Sequence, residues 1–193
     1  MAGSPTPLIL ASSSPRRREL LAERGYSFEV VVAAVEELLP PHLTVREAVL
    51  LNARRKGSAV AALHPGAWVI AADTLVSLDG RPMGKPLTIA EAHAMLRMLS
   101  GRTHQVFSGV WMEHRESGGI AAFIEVSHVQ FRPLEMADIK RYLQLVHVLD
   151  KAGAYAAQHD PMGLIERIEG SRTNVIGLPM ERLVAMLRGR GYE

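Results

Sequence analysis

Leu8-Ile9-Leu10-Ala11-Ser12-Ser13-Ser14-Pro15-Arg16-Arg17-Arg18 reads as a buried strand that runs through a serine turn into the first turn of a helix. The apolar start suits an interior strand. Pro15 fits the first helical position, and Ser14 before it is placed to cap the exposed N–H groups. Three arginines in a first turn oppose the helix dipole unless an anion compensates them. N–H donors, hydroxyls and guanidinium forks therefore converge on one point, which is how a protein holds a phosphate or another polyanion. Solvated helix residues are the plainer reading of Arg16 and Arg17, and that reading leaves the charge placement without a cause.

Working outward, a helix from Arg16 to about Arg24 is closed by Gly25, and Phe28 to Val35 is a second strand candidate that ends in Glu36-Glu37 and Pro40-Pro41. Thr44-Val45-Arg46-Glu47 is a capping box whose helix runs to about Leu63. Trp68 to Ala72 fits an interior strand that ends at Asp73-Thr74, and Leu75 to Leu78 followed by Asp79-Gly80 reads as a further strand and a tight turn. Thr88 with Glu91 forms a second capping box, and Ala92, Leu96 and Leu99 give its helix one apolar face. His104–Glu113 and Ile120–Phe131 look like an antiparallel pair, followed by a helix from Met136 to Val146. Asp150 to Gln158 is too rich in small residues for periodicity to place. Gly163 to Ile168 suits a late strand, Gly170 to Asn174 a polar loop, and Pro179 opens a terminal helix that Gly189 ends. The pattern is α/β with mixed strand directions. No Gly-x-Gly-x-x-Gly follows the first strand, so the dinucleotide fold lacks its main marker.

Composition narrows the chemistry. The 193 residues suit one compact domain, 48% hydrophobic and 22% charged, with a core that must be aliphatic because only 5% are aromatic. Twenty-two Lys and Arg against 20 Asp and Glu leave a charge of +2, too little for nonspecific nucleic-acid binding. The absence of cysteine excludes disulfides and thiolate chemistry. No apolar run approaches the roughly 20 residues that span a bilayer, and a cytoplasmic protein with no membrane partner is expected.

The polar residues placed at strand ends are Ser12, Arg16, Arg17, Glu37, Asp73 with Thr74, Lys85, and Lys151, Tyr155 and Gln158. Ligands sit beyond strand ends in open α/β sheets. Cations with a few carboxylates fit phosphate chemistry: the cations hold phosphates, the carboxylates hold Mg²⁺, and one carboxylate activates water. From the residues alone, Asp73-Thr74 serves equally as a turn, and Lys56 reads as a solvent-facing charge on its helix. His64, His93, His104 and His128 share no metal-ligand spacing and read as structural or exposed.

The stretches Leu8–Leu21, Ala72-Asp73-Thr74, Gly84-Lys85-Pro86, Leu99–His104, Asp150–Tyr155 and Gly177-Leu178-Pro179 together resemble the Maf family of nucleotide pyrophosphatases, in family order and over nearly the whole chain. The resemblance implies an elongated, inosine triphosphatase-like α/β fold, with a central mixed sheet, a cleft between two lobes and a homodimer. It also implies hydrolysis of a nucleoside triphosphate to the monophosphate and pyrophosphate with a divalent metal, Mg²⁺ or Mn²⁺. On this resemblance Ser12 and Arg17 match the phosphate side, and Lys56 and Lys85 match functional lysines. Glu37 matches the acidic position after the second strand, Asp73 matches the proton acceptor, and the two carboxylates would hold the metal. Arg16, Thr74 and Gln158 match the branch that takes dTTP and UTP, where a branch preferring 7-methyl-GTP carries Trp, Gln and Glu. The alternative readings are a 7-methyl-GTP or broader modified-nucleotide pyrophosphatase, or a nucleotide-binding regulator of septum formation. The chain departs from the family at Tyr155-Ala156-Ala157-Gln158-His159 and at Gly170–Asn174.

Overall fold

The computed structural model describes residues 6–192. Seven strands form one mixed sheet in the order β2-β1-β3-β5-β6-β7, with β4 paired to β3 off that path. Strand β1 (Leu8–Leu10) pairs parallel to β2 (Glu29–Val30) and to β3 (Trp68–Leu78). All other pairings are antiparallel: β3 with β4 (Arg81–Met83) and β5 (Thr103–His114), β5 with β6 (Gly119–Phe131), and β6 with β7 (Ile165–Glu169). The helices are α1 (Pro15–Ala22), α2 (Val45–Leu63), α3 (Ile89–Leu99), α4 (Met136–Leu145), α5 (Arg172–Ile176) and α6 (Met180–Arg188).

Local chemistry accounts for most of these boundaries. Thr44 and Glu47 close a full capping box on α2. At α3 the box is half made: Thr88 accepts from the Glu91 N–H, while the Glu91 carboxylate turns to the Leu87 N–H. Asp79 and Gly80, at φ of 51° and 78°, supply the two left-handed residues that a two-residue hairpin between β3 and β4 demands.

Four expectations change. Asp73 and Thr74 do not end a strand, because β3 runs unbroken through them and stays in register with β5 from Val69 to Ser77. Phe28 to Val35 yields only two strand residues, since β1 offers three residues to pair with and the chain leaves the sheet edge beyond them. Ser14 takes the N-cap position of α1 without a side-chain cap bond; its N–H instead donates to Ser12 Oγ at 3.2 Å. Gly170 to Asn174 is not all loop, since Ser171 caps α5 by accepting from the Asn174 N–H.

Alternation along β3 explains how one sheet makes a cleft. Val69, Ala71 and Leu75 face α2. On the opposite face, Ile70 and Ala72 join the core under α1 and α6, whereas Val76 and Leu78 join the core under α3 and α4. Thr74 falls between them and pairs across the sheet with Ser108, hydroxyl to hydroxyl at 2.8 Å. Two polar residues in register thus interrupt an apolar face and split it into two cores. Helix α2 lies very close to the sheet. A Cβ on Gly109, the partner of Asp73 in the ladder, would stand 2.6 Å from the main chain of Val49.

Candidate active site

The cleft lies where β1 stops. The Ala11 N–H donates to Ile70 O as the last parallel link, and the next carbonyl on that edge of β3, Ala72, has no strand beside it. Arg17 fills the place: its Nη1 donates to Ala72 O at 2.9 Å. Its other donors go to Gly177 O at 2.8 Å, Thr74 Oγ1 at 3.1 Å and Ser12 Oγ at 3.3 Å. Burial pulls the guanidinium's pKa down from its ordinary value, against the opposing charges of Asp73 and Glu37. Arg17 therefore serves as a structural strut whose charge is still turned to the cleft.

Asp73, 3% exposed, faces α2. Lys56 Nζ donates to Asp73 Oδ1 at 2.7 Å and to Glu37 Oε1 at the same distance, so one ammonium holds two carboxylates. Lys85 approaches the other Glu37 oxygen at 3.4 Å from an exposed position. Burial raises the Glu37 carboxyl, but the hydrogen bond and charge of Lys56, with Lys85 behind them, outweigh it and hold the pKa at about 2. The solvent-facing reading of Lys56 is thus corrected. Helix α2 lies along the cleft and turns this lysine inward, leaving its side chain 15% exposed.

The far wall comes from the segment after α4. Arg16 Nη1 donates to Asp150 Oδ2 at 2.6 Å, and Lys151 Nζ donates to the other oxygen, also at 2.6 Å. Burial pushes the Asp150 carboxyl up, and the two cations override it, to about 2. A single 3₁₀ turn, Ala152–Ala154, follows, with Gly153 and Ala154 at φ of 70° and 61°. The Gly153 N–H donates to Gly84 O and so ties this wall to the loop that carries Lys85. Buried Tyr155 meets His104 Nε2 at 2.9 Å, and Gln158 stands exposed at the rim. Burial drops the His104 pKa to about 4, so the imidazole is neutral at pH 7.

Every residue singled out from the sequence lines one cleft of about 330 Å³: Ser12, Arg16, Arg17, Glu37, Lys56, Asp73, Thr74, Lys85, Lys151, Tyr155 and Gln158. The charged lining is five cations (Arg16, Arg17, Lys56, Lys85, Lys151) against three carboxylates (Glu37, Asp73, Asp150). That excess of two positive charges equals the formal charge of the whole chain. A polyanion suits it. Among the described residues no three His, Asp or Glu gather as a metal cluster, and no helix is long and apolar enough to cross a membrane.

Asn52 escaped the sequence reading. It is 2% exposed and donates to Asp73 Oδ2 at 3.2 Å. The signal was its position, a polar residue within the buried stripe Val45, Ala48, Val49, Ala53 of α2.

Known proteins resemble this chain over nearly its whole length. A dTTP/UTP pyrophosphatase of Akkermansia muciniphila is 46% identical over 186 residues, spanning 96% of this chain and 97% of the relative. One from Pelotomaculum thermopropionicum is 44% identical over 185 residues, again 96% and 97%. Among solved structures, a HAM1 protein from Coxiella burnetii superposes with a TM-score of 0.51 at 16% identity, covering 95% of this chain and 99% of that one, a likeness of fold. Residues 7–190 match the family described as Maf-like protein, and the chain belongs to that family.

Proposed function

We propose that this chain hydrolyses dTTP and UTP to the monophosphate and pyrophosphate. Water attacks the α-phosphorus, its oxygen forms the new P–O bond, and the bond from that phosphorus to the oxygen bridging the β-phosphate breaks. The observation that carries this reading is the pair of carboxylates, Glu37 and Asp73, converging on one cation inside a cleft of net positive charge. Its kinship with dTTP/UTP pyrophosphatases across nearly the whole chain supports the substrate class.

Asp73 has room for a second task. A carboxylate offers about four acceptor positions, and Lys56 and Asn52 occupy one on each oxygen. The remaining positions take a water proton, and Asp73 orients and deprotonates the attacking water. Lys56 and Lys85 offset charge on the phosphate oxygens, and Arg17 adds its field from the cleft floor. The first turn of α1, with no side-chain cap, presents N–H groups beside Ser12 for a terminal phosphate.

A divalent metal fits the donor set. Glu37 Oε1 and Asp73 Oδ1 each lie 2.7 Å from the same ammonium, so two hard oxygen donors already share a cation. Mg²⁺ characteristically takes one or two carboxylates and completes its shell with water and substrate phosphates. Glu37 and Asp73 would hold it, and it would supply Lewis-acid polarisation of a phosphoryl oxygen. Gln158 at the rim, whose amide both donates and accepts, suits the edge of thymine or uracil, with Arg16 and Thr74 lining the same cleft.

The test is a panel of canonical, methylated and deaminated triphosphates, assayed for pyrophosphate against single-phosphate release with Mg²⁺ or Mn²⁺. Pyrophosphate from dTTP and UTP ahead of the others is expected. Preference for 7-methyl-GTP overturns the substrate assignment, and release of single phosphates overturns the reaction.

A further inference from the structure

We infer that Asn52 is the positioning residue that sets the Glu37 and Asp73 carboxylates in register, and that metal capture by the pair depends on it; the inference rests on the function proposed above. Glu37 lies on irregular chain between β2 and α2. From Val32 to Leu43, among the described residues, Leu38 alone has its main chain hydrogen-bonded to another element, and the partner is Asn52. The Leu38 N–H donates to Asn52 Oδ1 at 2.9 Å, and Asn52 Nδ2 donates to Leu38 O at 3.0 Å. One side-chain amide thus acts toward Leu38 as a neighbouring strand would.

Those two bonds fix which way the amide points. Oδ1 must face the Leu38 N–H, so Nδ2 faces Leu38 O, and its second hydrogen reaches Asp73 Oδ2 at 3.2 Å. Lys56 sits one helical turn further along the same face of α2 and takes Asp73 Oδ1. Both oxygens of Asp73 are therefore held from one helix, and the residue next to Glu37 is held by the same helix. Without Asn52, Lys56 still attracts both carboxylates, but an ammonium on a flexible stem imposes little direction. The separation and orientation of the pair then rest on an exposed loop.

Asn52→Ser is the first variant, because it is small, keeps a polar group and admits water to Leu38. Asn52→Leu, similar in volume, is the second and removes every donor. Mn²⁺ binding is followed by EPR in the presence of the α,β-imido analogue of dTTP, which cannot be cleaved between its first two phosphates. Thermal unfolding is recorded in parallel. The inference expects Mn²⁺ affinity to fall at least fivefold in a variant that remains folded, and kcat for dTTP to fall about tenfold with KM within threefold. Mn²⁺ affinity within twofold of the natural chain in the folded variant overturns it. Failure of the proposed function shows elsewhere, as an absence of pyrophosphate release by the natural chain, and the Mn²⁺ comparison still decides the role of Asn52.

Discussion

Asp73 and Asp150 are both ion-paired carboxylates lining one cleft, but they are mounted on very different supports. Asp73 sits in the middle of an 11-residue strand, 3% exposed, with a helix packed over it. Asp150 sits on a loop between α4 and β7 with its side chain 44% exposed. The first is placed by a continuous ladder and a close helix–sheet contact. The second is placed by Arg16, Lys151 and a tight turn of small residues. Rigid placement suits a group that must meet a reacting atom, and adaptable placement suits one that shapes the entrance. On the function proposed above, the contrast would put the chemistry on the β3–α2 side and substrate fit on the loop side.

The sharpest way to break that assignment is Asp73→Asn. The amide keeps the size but loses the base, and its single oxygen can accept from Lys56 or from Asn52 but not from both in their present places. Pyrophosphate release from dTTP should fall about 1,000-fold in kcat, with nucleotide binding retained, as measured by steady-state kinetics and calorimetry. An Asp150→Asn variant should lose less than about threefold, since only the half-exposed ion pairs to Arg16 and Lys151 are weakened. Equal losses would erase the distinction.

Gly109→Ala attacks the rigid support without touching a reactive group. The new methyl would meet the Val49 backbone at 2.6 Å, so α2 must lift from the sheet. Overpacking of this kind costs about 3 kcal/mol, and urea unfolding should show it. Residual folded protein should also turn over slowly, because Asn52 and Lys56 retreat from Asp73 together.

Much of this architecture was legible in local pattern. The capping box of α2, the Asp79-Gly80 hairpin, the apolar face of α3, the β5–β6 pair and the terminal helix all carry signals within a few residues. What was illegible depends on distant partners. Asp73 reads as a strand end because a polar pair normally stops an apolar run, and only the ladder with β5 shows the strand continuing. Helix α5 is five residues long, held by the Ser171 cap and by the buried Asn174 amide on Val106 O and Ser127 Oγ. Most cleft residues were recognisable as a set because strand-end and glycine motifs mark them, whereas Lys56 reads from its helix as a solvent-facing charge and only the family resemblance points it inward. Asn52 was not, since a single asparagine on a helix carries no pattern until its partners are known.

His104 joins the two sides, since it lies on β5 and meets Tyr155 of the loop wall. It is 1% exposed, and burial holds its pKa at about 4, against about 6.5 when unfolded. Between those values the unfolded chain binds the proton and the folded chain does not, so stability falls as pH drops through about 6.5 toward 4 and levels off below. For this group alone the loss approaches roughly 3 kcal/mol. Urea unfolding at pH 7 and pH 4.5, compared with His104→Gln, should show a pH-dependent difference of about 2–3 kcal/mol that the variant lacks.

A modest effect is expected at the entrance with Arg16, and it separates fit from chemistry most cleanly. Arg16 binds Asp150 through both its carboxylate and its carbonyl, at 2.6 Å and 3.2 Å, and so ties the start of α1 to the loop that leads to Gln158. Because the Asp150 side chain is exposed, the ion pair itself contributes at most about 1 kcal/mol to stability. Arg16→Ala should therefore leave the unfolding temperature within a few degrees while loosening the wall and removing a cation from the substrate's path. KM for dTTP should rise about tenfold, equivalent to about 1.4 kcal/mol of binding, with kcat within about twofold. A matching fall in kcat would mean that Arg16 acts on the transition state, and the loop side would then share the chemistry with β3 and α2.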